Sequence, residues 1–359
     1  MTTTWQNAHN VLAIRLDNMG DVLMTTPAMR ALRDATPGRR ITLLASRAGA
    51  ALAPHLDCVD DVIAYDAPWV KHAQHGTFID DDAMIATLRA CRFDAAVIFS
   101  VYSQNPLPAA LMCRLSGIPQ VLAHCRENPY ALLSDWVPER EPETQIRHEV
   151  RRQLDLVAHV GAVVHDKKLV FRPGATARDR LATTLADAGI DGGTPYLVLH
   201  AGATAPSRMY PPQAYARAAR LLLDDFDGYI VLTGSCAEAA DVAALLDAIG
   251  HPRARSLAGM LNLGELGALI EGARVLIANN SGPVHLAAAL GTPVVDLYAL
   301  TNPQHTPWMV DNRVLYRDVP CKYCYKSVCP AGHHACLTGV PPDEVAAAAR
   351  AIWREPAPC

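Results

Sequence analysis

Apolar residues in the first half fall in short continuous runs separated by stretches of helical period. Val11–Leu16 is apolar apart from Arg15 and reads as a strand buried on both faces, with a polar Asp17-Asn-Met-Gly-Asp21 turn after it. Val22–Leu32 then repeats its apolar positions at helical spacing, which makes a strand-turn-helix unit. Ile41–Ala45, Val62–Tyr65 and Ala95–Phe99 read as further strands, with helices over Asp81–Cys91 and Leu107–Leu115. His148–Val160 places Val150, Leu154, Val157 and Val160 on one face, as a helix closing this half would.

The alternation then restarts. Strands are expected at Tyr196–His200, Tyr229–Thr233, Val275–Ala278 and Val294–Tyr298, and helices at Pro211–Leu223, Ala237–Ile249, Leu263–Ala273 and Val284–Leu290. Pro173 and Gly174 mark a hinge between the halves. The pattern predicts an α/β chain of two Rossmann-like, doubly wound parallel domains facing each other across a cleft, over residues 1–172 and 173–340. An Ala-rich helix at Val345–Ala351 and a tail follow over 341–359.

Composition narrows the class. A chain of 359 residues exceeds one ordinary core, and with 50% hydrophobic and 19% charged residues it can fill two. A net charge of −4 gives no general grip on nucleic acid. No apolar run reaches membrane-spanning length, and polar Met1–Asn10 lacks the order of a secretory signal, so a cytoplasmic protein is expected. No Gly-x-Gly-x-x-Gly follows the first strand, which removes the usual dinucleotide oxidoreductase signature.

Four segments carry candidate chemistry. In Asn18-Met-Gly-Asp21, Gly20 allows a tight turn, and Asp21 either caps the following helix or serves as a general base at the carboxyl edge of the sheet. In Asn280-Ser-Gly-Pro-Val-His285, Ser281, Gly282 and Pro283 open a helix whose free N–H groups suit an anion. His285 either donates to the same anion or faces the core. In the loop after Tyr196–His200, Thr204, Ser207 and Arg208 supply donors and a fixed positive charge suited to a departing diphosphate, unless Arg208 is merely solvated. Cys321, Cys324, Cys329 and Cys336 stand in a C-x2-C-x4-C-x6-C array with His333 and His334 inside it. This set suits a structural zinc or iron, or is a reduced loop. Cys58, Cys91, Cys113, Cys125 and Cys236 are expected as buried small hydrophobes, and Cys359 as a free terminal thiol.

Taken in order, Leu12–Pro27, Leu199–Thr204, Leu232-Thr-Gly-Ser235, Ser256–Gly259, Ala278–Pro293 and the Cys-rich tail resemble glycosyltransferase family 9, the ADP-heptose:lipopolysaccharide heptosyltransferases. The resemblance implies a GT-B fold and inverting transfer without a catalytic metal or other cofactor. It also implies an ADP-heptose donor held mainly by the second domain and an acceptor held by the first. The acceptor would be a lipopolysaccharide core or, as for relatives with a similar Cys-rich tail, an autotransporter protein. A non-catalytic nucleotide-sugar-binding relative is a further alternative, and contact with the inner membrane would be peripheral. Asp21 matches the family's proposed base, with Asn18 and Gly20 beside it. Arg208 stands where the family has a phosphate-loop lysine, next to Thr204 and Ser207. Thr233 and Gly234, and Asn280, Ser281, Gly282 and His285, fall on donor-binding turns. Asn280 replaces the family's usual aspartate before Ser-Gly.

Overall fold

The computed structural model describes residues 4–70 and 78–353, the side chains of Phe78 and Ile79 excepted. Contacts divide the chain into two compact units, Met1–Val170 and Phe171–Cys359. The first carries β1 (Asn10–Arg15), α1 (Met19–Asp34), β2 (Arg40–Ala45), α2 (Arg47–Ala50), β3 (Asp61–Ala64), α3 (Phe78–Cys91), β4 (Ala95–Ile98), α4 (Leu107–Leu115), β5 (Gln120–Cys125), β6 (Asp135–Pro138) and α5 (Glu149–Ala158). The second carries α6 (Ala175–Asp187), β7 (Tyr196–His200), α7 (Pro212–Leu223), β8 (Tyr229–Thr233), α8 (Ala239–Ile249), β9 (Ala254–Ser256), α9 (Leu263–Gly272), β10 (Leu276–Asn279), α10 (Gly282–Leu290), β11 (Val294–Leu297), β12 (Asn312–Leu315), α11 (Ala335–Thr338) and α12 (Pro342–Ile352).

Each unit has one six-stranded sheet, ordered β3-β2-β1-β4-β5-β6 in the first and β12-β11-β10-β7-β8-β9 in the second. All strand pairs are parallel. Numbered from its own first strand, the second sheet repeats the order of the first, so the fold contains one doubly wound topology twice. In each sheet the order reverses between two central strands, β1 and β4 or β7 and β10. The crevice outside their carboxyl ends is where such sheets take ligands.

The central strands are continuous apolar runs because helices cover both faces. Leu12, Ile14, Leu44, Ala96 and Ile98 are buried in the first core, and Leu197, Leu199, Ile230, Ile277 and Val295 in the second. Each large aliphatic side chain contributes roughly 1.5–3 kcal/mol by leaving water. α12 belongs to this second core, since Val345, Ala346 and Ala349 are buried in it and Trp353 packs 5.3 Å from Phe226.

Three expectations need correction. Gly20 is not at the turn but inside α1; Asp17 and Asn18 make the turn, with Asn18 as N-cap at φ −76°, ψ 171°. Cys91 and Cys236 are exposed, whereas Cys58, Cys113 and Cys125 are buried. Cys91 ends α3, and Cys236 opens a short helical turn that its neighbours do not cover. Cys359 lies outside the described residues.

Candidate functional site

In the first unit the site is assembled around a buried guanidinium. Arg15, the last residue of β1, is fully buried and meets three carboxylates. Its Nη1 donates to Glu149 Oε1 at 2.7 Å and its Nη2 to Asp21 Oδ1 at 3.1 Å. Its Nε lies 2.9 Å from Asp17 Oδ2 as an ion pair without hydrogen-bond alignment. Burial opposes the guanidinium's charge, but Asp17, Glu149 and Asp21 together outweigh it and hold the proton on more firmly than usual.

Asp21 does two things at once. Its Oδ2 accepts the Asn18 backbone N–H at 3.2 Å, capping α1, while Oδ1 faces Arg15. The carboxylate is therefore oriented from both sides, with a side chain 16% exposed. Lone pairs remain on each oxygen, so capping does not prevent it from accepting a proton. The cap and the base expected as alternatives are thus compatible in one geometry.

Sequence reasoning passed over Asp17, which stands two residues past the end of the switch-point strand. Its Oδ1 accepts from Gln104 Nε2 at 2.5 Å. Burial, with the charges of Asp21 and Glu149, pushes its carboxyl up from the ordinary range against the downward pull of Arg15 and Gln104. Asp17 lines a cavity of about 480 Å³ between the ends of β1 and β4, bounded also by Trp69, Phe99, Gln104, Asn105 and Pro106. Arg15 itself was legible only as a polar break in an apolar strand.

In the second unit the equivalent crevice is organised by Asn279, which ends β10. Its Oδ1 accepts from Tyr210 N and from Tyr215 Oη, both at 2.9 Å, and its Nδ2 donates to the Ala201 carbonyl at 2.6 Å. Asn279 thus fastens the loop after β7 to the start of α10. Ser281 is the N-cap residue of α10, yet its hydroxyl donates back to the Asn279 carbonyl at 3.1 Å and makes no cap bond. Gly282 is half-buried beside it, and His285 is buried in α10.

The amide at position 280 has a physical reason. Its Nδ2 donates to Asp296 Oδ2 at 2.9 Å and to the His305 carbonyl at 2.8 Å. Asp296 is fully buried on β11, and burial pushes its carboxyl up to about 8 despite that hydrogen bond. A second carboxylate at position 280 would face it at contact distance, whereas the amide donates.

In the loop after β7, Thr204 is exposed and Arg208 half-buried. Ser207 is buried, its N–H donating to the Ser327 carbonyl at 3.0 Å and its hydroxyl to the Lys326 carbonyl at 2.7 Å. The Cys-rich segment therefore holds this loop. Thr233 Oγ1 lies 3.0 Å from His200 Nδ1, whose ring burial makes harder to protonate, against the pull of Glu238. Gly234 accepts from Gly259 N at 2.9 Å.

The four cysteines line one small cavity together with Ser207, His333 and His334. Cys321 Sγ is 3.9 Å from His333 Nε2. Backbone N–H groups of His334, Ala331, Gly332 and His333 pull the Cys329 thiol below its ordinary range, and burial pushes Cys336 up. Tyr323, Tyr325 and His334 all hold positive φ, a costly backbone choice for non-glycine residues. Among the described residues no three His, Cys, Asp or Glu side chains converge as metal ligands do. The donor types suit a metal.

The family model for glycosyltransferase family 9 (heptosyltransferase) matches residues 82–335. Lipopolysaccharide heptosyltransferase 1 of Pseudomonas aeruginosa is 28% identical over 338 residues, 89% of this chain and 87% of that protein. A family 9 glycosyltransferase structure from Veillonella parvula superposes with a TM-score of 0.80 at 19% identity, covering 98% of each chain. The Escherichia coli ADP-heptose heptosyltransferase II structure gives 0.74 at 22% identity, covering 96% of this chain and 98% of that one. The fold is that of these proteins, the GT-B class.

Proposed function

The chain belongs to glycosyltransferase family 9, and on that premise we propose that it moves a heptose from ADP-heptose to a hydroxyl of a lipopolysaccharide-core acceptor with inversion at the sugar C1. The observation that carries the reading is the posture of Asp21, fixed at the carboxyl end of the switch-point strand by Arg15 and the Asn18 N–H. Asp21 takes the acceptor's hydroxyl proton as that oxygen bonds to C1. The bond from C1 to the diphosphate oxygen breaks, and its electron pair leaves with ADP. Arg208 and the first turn of α10, whose N-cap hydroxyl is turned away, would meet the negative charge that develops there. Each of these contributions comes from the protein's own groups, and the step needs no metal.

The Asp21→Asn variant tests the reading. General-base catalysis contributes roughly 10²–10⁴ in rate. The variant is expected to lose about that factor in kcat toward a lipopolysaccharide-core extract, with the KM for ADP-heptose little changed. Transfer at the wild-type rate would overturn the role of Asp21, and a product with the donor's anomeric configuration would overturn inversion. The activity is placed in the cytoplasm with peripheral contact at the inner membrane, which cell fractionation checks.

We also propose a structural zinc or iron at Cys321, Cys324, Cys329 and Cys336. The strained backbone of the segment and the small cavity that these thiols share support it. Elemental analysis of the purified protein should find one ion per chain, lost in Cys324→Ser; wild-type protein without zinc or iron would overturn it.

A further inference from the structure

The side chain of Arg208 is half-buried and has no hydrogen bond or ion pair among the described residues. Its backbone, by contrast, is pinned on both sides. Two residues later, Tyr210 N donates to Asn279 Oδ1 at 2.9 Å. One residue earlier, the buried Ser207 donates its N–H to the Ser327 carbonyl at 3.0 Å and its hydroxyl to the Lys326 carbonyl at 2.7 Å. Both donors that the sequence offers to a phosphate are therefore engaged by a segment 119 positions away. The same segment also reaches the loop after β11, where Tyr323 N donates to the Leu300 carbonyl at 2.5 Å and Tyr325 N to the Thr301 carbonyl at 2.9 Å. In the second sheet β10 lies between β7 and β11, so these two loops flank the opening of α10. Arg208 stands at their meeting: burial pushes the Tyr298 hydroxyl up, and the Arg208 guanidinium pulls against it from across the gap.

We infer that the Cys-rich segment is a splint for the donor's diphosphate site, and that Ser207 is the positioning residue through which it fixes Arg208. A cation on an untethered loop samples many postures, and the ordering it undergoes on binding subtracts from affinity. Backbone bonds on both sides of Arg208 remove the loop's freedom in advance and leave the guanidinium itself unengaged, as a group that must meet an anion requires. The positive φ of Tyr323 and Tyr325 has a use in this account, since each of these costly residues gives its N–H to the loop after β11. This role rests on the reading of Arg208 as a group that meets the diphosphate.

The test uses the full chain with ADP as the probe. Calorimetry measures ADP affinity for wild type, Ser207→Ala, Arg208→Ala and the double variant, and circular dichroism and thermal melts show that each is folded. Arg208→Ala should weaken ADP about tenfold or more, the scale of a charge-assisted hydrogen bond. Ser207→Ala should weaken it about three- to tenfold, the scale of one neutral hydrogen bond, and should add nothing once Arg208 is gone. Hydrogen exchange of the wild type needs no variant. If the segment positions the loop for ADP, then by reciprocity ADP should slow exchange over residues 322–328 as well as 204–210. ADP affinity undiminished in Ser207→Ala overturns the inference alone. So does an equal loss with and without Arg208, or exchange over 322–328 that ADP does not change. Wild type that does not bind ADP, or Arg208→Ala that binds it undiminished, overturns the reading of Arg208 and the inference with it.

Discussion

Replacing Asp296 by Asn should stabilise the protein, by an amount that grows with pH. Asp296 is wholly buried, its Oδ2 accepts one hydrogen bond from Asn280, and its Oδ1 has no hydrogen-bond partner among the described residues. Burial pushes the carboxyl from 3.8 up to about 8, and the Asn280 bond only partly offsets this. For an acid raised on folding, both states hold the proton below about pH 4, and there the group imposes no pH-linked penalty. As pH rises from about 4 to about 8, the unfolded chain releases its proton and the folded chain does not, so stability falls; above that window it is level. At about 1.4 kcal/mol per unit, the penalty at pH 7 is of order 4 kcal/mol. Asn keeps an acceptor for Asn280 but buries an amide N–H₂ that needs partners, which costs about 1–3 kcal/mol. The net expectation is a gain of about 1–3 kcal/mol at pH 7–8 that vanishes or reverses near pH 4.5. Calorimetric melts of both proteins at pH 4.5, 6, 7 and 8 measure it. A difference in Tm that does not change between pH 5 and pH 8 would mean that Asp296 titrates like a solvated carboxylate, and the argument would fail.

Asn280→Asp does the reverse. It sets a carboxylate at the 2.9 Å contact with Asp296 and should cost about 1–3 kcal/mol, more at pH 8 than at pH 5, in urea unfolding. Arg15→Met leaves Asp17, Asp21 and Glu149 without their shared cation, so denaturation should show a loss of about 3–5 kcal/mol that is smaller in mild acid. At Gly267 an added Cβ would lie 2.3 Å from the Phe171 ring, so Gly267→Ala should cost about 1–3 kcal/mol in thermal melts; an unchanged Tm would show that the ring is free to move aside.

The central strands were legible because a strand covered on both faces must be apolar at every position, and Leu12–Ile14 or Leu276–Ala278 have that character whatever surrounds them. Strands β5, β6, β9 and β12 were not expected: half-exposed edge strands such as Asp135–Pro138 and Asn312–Leu315 carry polar residues that resemble loop, and β5, although buried inside its sheet, has Gln120 and His124 among its apolar residues. Helix α6 escaped for a similar reason, since only Leu181 of it is buried. Glycine and proline at the helix starts, and the order of the motifs, placed Asp21, Arg208 and Ser281 near strand ends from local pattern alone.

What only the tertiary structure decided is which of these polar groups meet. Glu149 lies 134 positions from Arg15, and nothing local to either residue announces the pair. Asp17 reads as one more turn residue until β4 and the following loop bring Gln104 and a cavity to it. Asn279 and Asn280 are adjacent and alike in sequence. Alternation of the strand sends one into the loop after β7 and the other to Asp296, and so gives them different work. Local pattern determines strand, helix and turn because their periods are short. The partners of a buried charge come from distant chain, and they are settled only when the sheet order places them side by side.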